Sequence, residues 1–572
     1  MKKLLVMLLV FAMLLSVMVG CGKSEDAPAP EAEVSEPVEE TAGVQEESTP
    51  EEAPEEEAVE EAPAYAQVDY ELPLFDEQPE FTVFYPLRQG GGGGSMPARD
   101  GGDFPFWQRL QENLNVDLIF REPADSVCTE QYNLMVASGD VTDLVFESML
   151  SSNASAYPGG YDKAIEDDVY LDLMECMEYA PNYSYFALGN DDNRKVVLTD
   201  EGHIGAFMKV LSEPEKTNLG LTVHEQYLID TGLEMPSTVS EWMTVFEAMH
   251  NNGVKYPCAV TSDAQIQDGN FTDAIGACID TSFLIDVQSG DLVFGPTNPE
   301  TKEYIEIFIE CVDNGWVDPD WAYNTYMENP LFVDGSIATC SQLGQRLVPL
   351  SKQYGFDLVP CPTVHREGYE EGQLAIGEVA YPLISSGGGI AVASSCADIE
   401  NAMKLIDWMY SPAGAELCNF GWIEGETYYV EDGQKYINDF FQATNEVYNF
   451  GNKTLYSSDR DFGYVFPNSS YYVAEGIQKE ANDLWTVKTD NAAAIYLNLP
   501  GSVRLNSQES EELTTLINDL DTYVQSTIYG WLCKTTPFND EAWEEFVAGC
   551  QNMKLDEIRA GYEAAYGRYL EK

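Results

Sequence analysis

The stretch from Glu80 to Ser148 constrains this chain most, because apolar runs of strand length alternate there with runs of helical period. "EFTVFYP" is a short apolar run closed by Pro86 and reads as a strand. "DFPFWQRLQENLN" follows, with Asp103 placed to cap a helix, Pro105 in its first turn, and Phe106, Leu110 and Leu114 on one face. "VDLIF" is the next strand. "DSVCTEQYNLMVASGD" sets Cys128, Tyr132, Met135 and Val136 on one helical face and stops at Gly139, and "DLVFES" is a third strand. Strand, helix, strand, helix, strand predicts a parallel sheet in an α/β lobe.

The glycine run "QGGGGGSMPARD" falls inside this alternation. Signals of one lobe stand on both sides of it, so it reads as the lengthened loop after the first strand and not as a linker between domains. It lacks the Lys-Ser/Thr ending of a phosphate loop. "GCGKS" carries part of such an ending near the N-terminus but lacks the spaced first glycine.

A second set of signals begins near Gly205. "PSTVSEWMTVFEAMHNNG" predicts a helix with a capping box of Thr238 and Glu241, an apolar face of Trp242, Val245, Phe246 and Met249, and a stop at Gly253. "LFVDGSIATCS" predicts a short helix end and a buried strand. "GGGIAVASSCADIENAMKLIDWMYSPAG" predicts a strand and then a helix carrying Ile399, Met403, Ile406 and Tyr410 on one face, with Ser411 and Pro412 opening another helix. The last stretch of the chain is mostly helical.

The N-terminus, "MKKLLVMLLVFAMLLSVMVGCGKSE", has a basic start and an apolar run from Leu4 to Val19, short for a membrane span. Its end, "VMVGC", resembles the lipobox of bacterial lipoproteins, with Met18 where Leu is commoner. That resemblance implies a signal peptide over 1–20 and acylation, palmitate included, of Cys21. Residues 22–64 hold 16 carboxylates against one Lys, with Pro, Ala, Ser and Thr between them. Such a segment cannot bury enough apolar surface to fold, and like-charge repulsion extends it. The expectation is a lipidated protein held off the outer face of the bacterial cytoplasmic membrane on a disordered acidic tether over 21–64.

The whole chain has 572 residues and a formal net charge of −69, which sets nucleic acid and anionic lipid surfaces aside as partners. Eleven cysteines besides Cys21 form no CxxC pair, so free thiols are expected, and four scattered histidines argue against zinc.

The order of these pieces resembles the family 1 extracellular solute-binding proteins of carbohydrate ABC importers, in their large lipoprotein branch. The stretches that carry it are "YNLMVASGDVTDLVFES", "PSTVSEWMTVFEAMHNNG", "FVDGSIATC" and "CADIENAMKLIDWMYSPAGAELCNFGWIEGETYYVEDG", spanning about 80 to 435. The resemblance implies a two-lobed, periplasmic-binding-protein-like α/β fold of type II. Each lobe is a sheet flanked by helices, and the C-terminal region is helical. Lobe 1 is expected over about 79–205 and 386–420, and lobe 2 over about 206–385 and much of 421–572. It also implies a carbohydrate ligand, permease subunits as partners, and no enzymatic activity; a monomer is expected. Many relatives carry an acidic calcium loop after the second-lobe helix. Here that place reads "HNNGVKYPCAV", without carboxylates, so no calcium, and no other metal or cofactor, is expected.

Sugars are held by aromatic faces and by planar polar side chains that hydrogen-bond hydroxyls, at strand ends that face a cleft. The candidates are Arg88, Asp103, Trp107, Glu147 and Ser148 in the first lobe, then Trp316, Trp321, Tyr323, Trp422, Glu424 and Tyr428. Each Trp has core packing as its alternative, Glu147 and Ser148 a helix cap, Trp422 and Glu424 a structural turn, and Arg88 an ion pair. A receptor for a peptide or another polar solute, and a surface glycan-degrading enzyme, stay open as other readings. No GxSxG elbow and no distinguishable carboxylate pair supports the enzyme.

Overall fold

The structure, a computed structural model, describes residues 65–86, 104–124, 127–147, 150, 155–212, 219–323, 330–384, 389–431, 434–438, 444–445, 450–451, 463–465 and 476–572. The signal peptide, Cys21, the acidic tether and the glycine run lie outside them, and so do Arg88, Asp103 and Ser148.

The first segment builds β1 (Glu80–Phe84), α1 (Pro105–Leu114), β2 (Asp117–Arg121), α2 (Cys128–Ser138) and β3 (Leu144–Phe146). β1 pairs in parallel with both β2 and β3, as the alternation requires. α1 starts on Pro105, whose missing N–H costs nothing in the first turn, and stops at Asn115 in the left-handed region (φ 58°). α2 stops at left-handed Gly139. After α3 (Gly160–Glu166) the chain leaves the lobe through β4 (Val210–Leu211).

The second lobe opens with β5 (Leu219–His224) and α4 (Val239–Asn251). The predicted capping box is present: Thr238 accepts from the Glu241 N–H, and the Glu241 carboxylate accepts from the Thr238 N–H. Trp242, Val245, Phe246 and Met249 are buried along one face. α5 (Asn270–Ile275), β6 (Thr339–Leu343) and β7 (Leu358–Pro360) follow, and β5 lies between β6 and β7, antiparallel to both.

The chain then returns to the first lobe. β8 (Ile390–Val392) adds antiparallel to β3, giving the order β8–β3–β1–β2. α6 (Ile399–Trp408) and α7 (Pro412–Phe420) follow, with Ser411 capping α7 by accepting from the Gly414 N–H. β9 (Tyr464–Val465) precedes the last passage into lobe 2, where α8 (Ser507–Leu532), α9 (Asp540–Asn552) and α10 (Leu555–Glu571) close the chain.

Two separate apolar cores result. One draws on Leu74 through Val210 and Ile384 through Cys418, the other on Leu221 through Val364 and Leu520 through Ile558. Three passages of chain lie side by side between them: β9 runs parallel to β4, and Ile384 bridges Val210 antiparallel. Val210 N–H donates to Gly463 O (3.0 Å) and Leu211 N–H to Leu383 O (2.6 Å).

One buried carboxylate ties the start of the described chain to lobe 1. Asp407 accepts from Tyr70 Oη (2.6 Å), Asn182 Nδ2 (2.8 Å), Asn182 N (3.2 Å) and Tyr183 N (2.7 Å). The eleven described cysteines are all free thiols, and nine of them are buried. No helix among the described residues is long and apolar enough to cross a membrane.

Candidate functional site

Sheet direction locates the cleft face of each lobe. In lobe 1 the parallel strands end at Phe84, Arg121 and Phe146, and β8 begins beside Phe146 at Ile390, just after the chain has crossed. In lobe 2 β5 begins at Leu219, just after its own crossing, beside Leu343 at the carboxyl end of β6; the carboxyl end of β7 points the same way. Ligands of open α/β sheets bind outside the carboxyl ends of strands.

On the lobe-2 face there is a cavity of about 230 Å³. Leu219 and Gly220 at the start of β5, Ser341 on β6, Thr363 just past β7, and Trp485 line it, with Asp268, Asn270 and Asp273 from the turn into α5. Leu374 and Val487 are shared with a second cavity of about 200 Å³, which includes Glu378, Lys488 and Asn491.

The wall is rigid. Trp485 is buried, and its Nε1 donates to Leu221 O (3.2 Å) and Cys361 O (3.1 Å), fastening it to β5 and to the residue after β7. The ring packs against Gly220, where a Cβ would come within 2.3 Å of it. The acidic turn is bent sharply: Ala264, Gln267 and Asp268 all have positive φ (64°, 48° and 59°), ahead of Gly269. Non-glycine residues pay for that region in strain, and such strain gathers at functional sites. Buried Tyr304 holds the turn, donating to Ala264 O (2.6 Å) and accepting from Ile266 N (2.8 Å).

The electrostatics of this pocket are one-sided. Burial, reinforced by Asp263, pushes Asp268 up to about 7. Burial, reinforced by Glu378, pushes Asp273 up to about 6. Asp273 reaches solvent yet is enclosed by protein on nearly all sides, as a group on the floor of a cleft is.

Of the residues expected in the site, Trp107 and Trp321 are corrected to core. Trp107 is 2% exposed among Tyr85, Phe106, Phe120 and Phe146, and Trp321 is 4% exposed against Phe308 and Tyr529. Both follow helix-start signals, where a large apolar side chain turns inward to seal the lobe. Trp316 is also buried, whereas Tyr323 is exposed. Glu147 is wholly buried, and burial pushes it up to about 7. It accepts from Tyr170 Oη (2.8 Å) and Ala156 N (3.2 Å), and its N–H donates to Gly389 O (2.8 Å), so it braces the loop behind the cleft face.

Trp422 is half-buried on the lobe-1 core, beyond the boundary expected at 420. It stacks on Trp408 (centroids 5.8 Å, 13°), and its indole N–H has no hydrogen-bond partner. Glu424 is exposed on the following turn and bridges to Tyr428, which packs edge-on against Phe420. The lobe-2 residues Asp268, Asn270, Asp273, Ser341 and Trp485 were not among the expected site residues. The dense polar run "SDAQIQDGNFTD" was the available signal for the first three; Ser341 and Trp485 gave none.

A larger cavity, about 510 Å³, lies where the two lobes meet. Lobe 1 contributes Tyr161, Asp162 and Glu201, and lobe 2 contributes Arg504, Arg568 and Lys572. Asp162, Glu201 and His203 form the one group among the described residues close enough to share a metal ion, but a 3.1 Å hydrogen bond between Asp162 and His203 Nδ1 already engages two of those atoms.

No protein-family model matches the chain, and no curated protein does. Solved structures do. A human-milk-oligosaccharide (HMO) binding, ABC-transporter-associated solute-binding protein from Bifidobacterium longum infantis is similar over 86% of this chain and 99% of its own, at 16% identity and TM-score 0.67. The substrate-binding protein FusA of an S. pneumoniae ABC transporter, solved with fructo-nystose, is similar over 86% and 99% at 14% identity and TM-score 0.61. The alginate-binding protein AlgQ2, solved without calcium ion, is similar over the same shares at 17% identity and TM-score 0.58. With two cores, three crossing passages and cleft-facing strand ends, the chain has the two-lobed α/β fold of the ABC-transporter solute-binding proteins.

Proposed function

We propose that the chain is a receptor that captures an oligosaccharide between its lobes and delivers it to an ABC importer, held at the outer face of the membrane by a lipid on Cys21. The observation that carries this reading is the lobe-2 pocket: carboxyl, amide and hydroxyl groups that can bond sugar hydroxyls stand around a Trp wall, at the strand ends that face the other lobe. The carbohydrates named for the similar structures support it.

Binding works by closure. A ligand that touches both lobes favours the closed arrangement in proportion to its extra contacts there, and the permease reads that arrangement. On the lobe-1 side the half-buried Trp422 ring, followed by Glu424 and Tyr428, is the proposed contact surface. Arg88, Asp103 and Ser148 remain proposed contacts from the loops after β1 and β3. No group in this reading performs chemistry on the sugar.

A thermal-shift screen of the soluble domain against neutral oligosaccharides tests the reading: the expected result is a ligand-dependent rise in Tm with no release of reducing ends. Turnover, or no response to any oligosaccharide, overturns it. Loss of fatty-acid labelling in Cys21→Ala tests the anchor.

A further inference from the structure

The cavity of about 510 Å³ is built by both lobes and lies close to a crossing. Met208 lines it two residues before β4, and Ser155 follows β3. From lobe 2 come Ser502 and Arg504, just past the strand Tyr496–Asn498. That strand runs parallel to Ile376–Glu378, and the pair is tied at its carboxyl end, where Asn498 Nδ2 donates to Glu378 Oε1 (2.8 Å). The cavity thus lies past strand ends, where open sheets take ligands, and its volume falls within the roughly 300–1,000 Å³ of small-molecule sites.

A second observation is the charge of Arg504, which nothing around it balances. Arg109, Arg121, Arg194, Arg366, Arg559 and Arg568 each pair with a carboxylate. Arg504 pairs with none among the described residues, in a chain of 98 acids against 29 Lys and Arg. Its Nε donates to Gly501 O (3.3 Å), which leaves the two terminal amino groups of the fork. Burial draws the guanidinium below its ordinary value, and the group that acts on it from lobe 1, the Tyr161 hydroxyl, is itself neutral because burial raises it well above the tyrosine range. The acids of the cavity are engaged elsewhere or exposed: Arg568 and Lys572 hold Asp200, His203 holds Asp162 (3.1 Å), and Glu201 faces solvent. The backbone beside Arg504 is fixed, since Val503 N–H donates to Pro500 O (2.8 Å) and the Val503 side chain packs with Ala565 and Tyr569 of α10. A half-buried cation without a counter-charge is unfavourable unless an anion joins it.

We propose that this cavity takes one acidic residue of the oligosaccharide, with its carboxylate across the two terminal amino groups of Arg504 and its ring between the lobes. The proposal rests on the receptor reading and narrows its ligand to saccharides that carry a carboxyl group, from a uronic or a sialic acid. A planar carboxylate matches the guanidinium fork with two parallel hydrogen bonds. Lobe 1 supplies the opposite wall, so the full set of contacts exists only in the closed arrangement.

Calorimetric titration of the soluble domain at pH 7 tests this with trigalacturonate and its methyl ester, and with sialyllactose, sulfated lactose and lactose. The expected result is that a carboxylated probe binds at least about tenfold more tightly than its neutral counterpart, the effect of one charge-assisted bidentate pair. Arg504→Gln abolishes that preference at unchanged or higher Tm and leaves binding of the neutral counterpart in place. Arg504→Lys, which keeps the charge without the fork, retains only part of it. Neutral counterparts that bind as tightly as both carboxylated probes, or a wider screen that finds only neutral ligands, overturn the proposal and leave the receptor reading standing. So does a preference that survives in Arg504→Gln, or one for sulfated lactose over sialyllactose. If no saccharide binds at all, both readings fall.

Discussion

The carboxylate of Asp200 in lobe 1 holds two cations at the end of the lobe-2 chain: Arg568 Nε of α10 and, just past that helix, Lys572 Nζ at 2.9 Å. Arg568 also reaches Glu509 of α8 (2.7 Å), and Lys572 Nζ donates to Leu198 O (2.8 Å). The lobes are thus joined at a second place besides the crossing strands, by a network that is mostly shielded from solvent. Any hinge opening that separates α10 from lobe 1 must break it.

Arg568→Ala removes the bridging charge while leaving the crossing strands intact. A network of this exposure contributes about 1 kcal/mol, so the variant should bind its ligand about fivefold more weakly, and its unliganded radius of gyration in solution scattering should rise. An unchanged radius with unchanged affinity would show that the network does not couple to closure.

Gly220→Ala places a Cβ within 2.3 Å of the Trp485 ring, which is fixed by two carbonyls and cannot yield cheaply. Overpacking at such a site costs about 1–3 kcal/mol. Ligand affinity should fall with it, because the displaced indole is the pocket wall. Trp485→Phe keeps most of the volume but leaves Cys361 O without its indole donor, while Leu221 O keeps the Cys361 N–H (2.9 Å), with an expected loss of about 1–3 kcal/mol in denaturant unfolding.

Asp268 and Asp273 make stability depend on pH in a defined direction. Their folded values, about 7 and about 6, lie above those of an unfolded Asp. From about pH 4 upward the unfolded chain gives up these protons before the folded one does, so stability falls until the folded groups ionise near pH 6 to 7, then levels. Asp268→Asn with Asp273→Asn should therefore raise the Tm by a few degrees at pH 8 and by less at pH 5. A Tm gain that is larger at pH 5 would contradict the assigned direction.

Asp407→Ala strips the shared acceptor from four donors in the lobe-1 core. A cost of about 3–5 kcal/mol is expected, read as a lower denaturant midpoint, because buried donors without an acceptor lose their full desolvation energy. Asp407→Asn should cost less, since its oxygen still accepts. In contrast, Trp422→Ala removes a half-buried ring at the lobe surface; it should lower ligand affinity severalfold with only a modest loss of stability. Full affinity in that variant would remove Trp422 from the site.

Local periodicity and capping chemistry alone were enough to specify the secondary structure that matters. The strand–helix alternation from Glu80 to Phe146, the capping box of Thr238 and Glu241, the stop at Gly139 and the Ser411 cap depend on residues within a few positions of each other, and each is present. The parallel sheet followed from them, since short connections through helices leave few alternatives. What local sequence could not decide was which aromatic residues face inward. Trp107 and Trp485 look alike in sequence, yet one fills a core between Phe120 and Phe146 while the other walls a pocket. The pocket itself joins residues 220, 268, 273, 341 and 485, whose nearness is set by how β5 lies between β6 and β7 and not by any spacing along the chain. The same packing encloses the Asp268 and Asp273 carboxyls, so their raised protonation belongs to the tertiary structure alone.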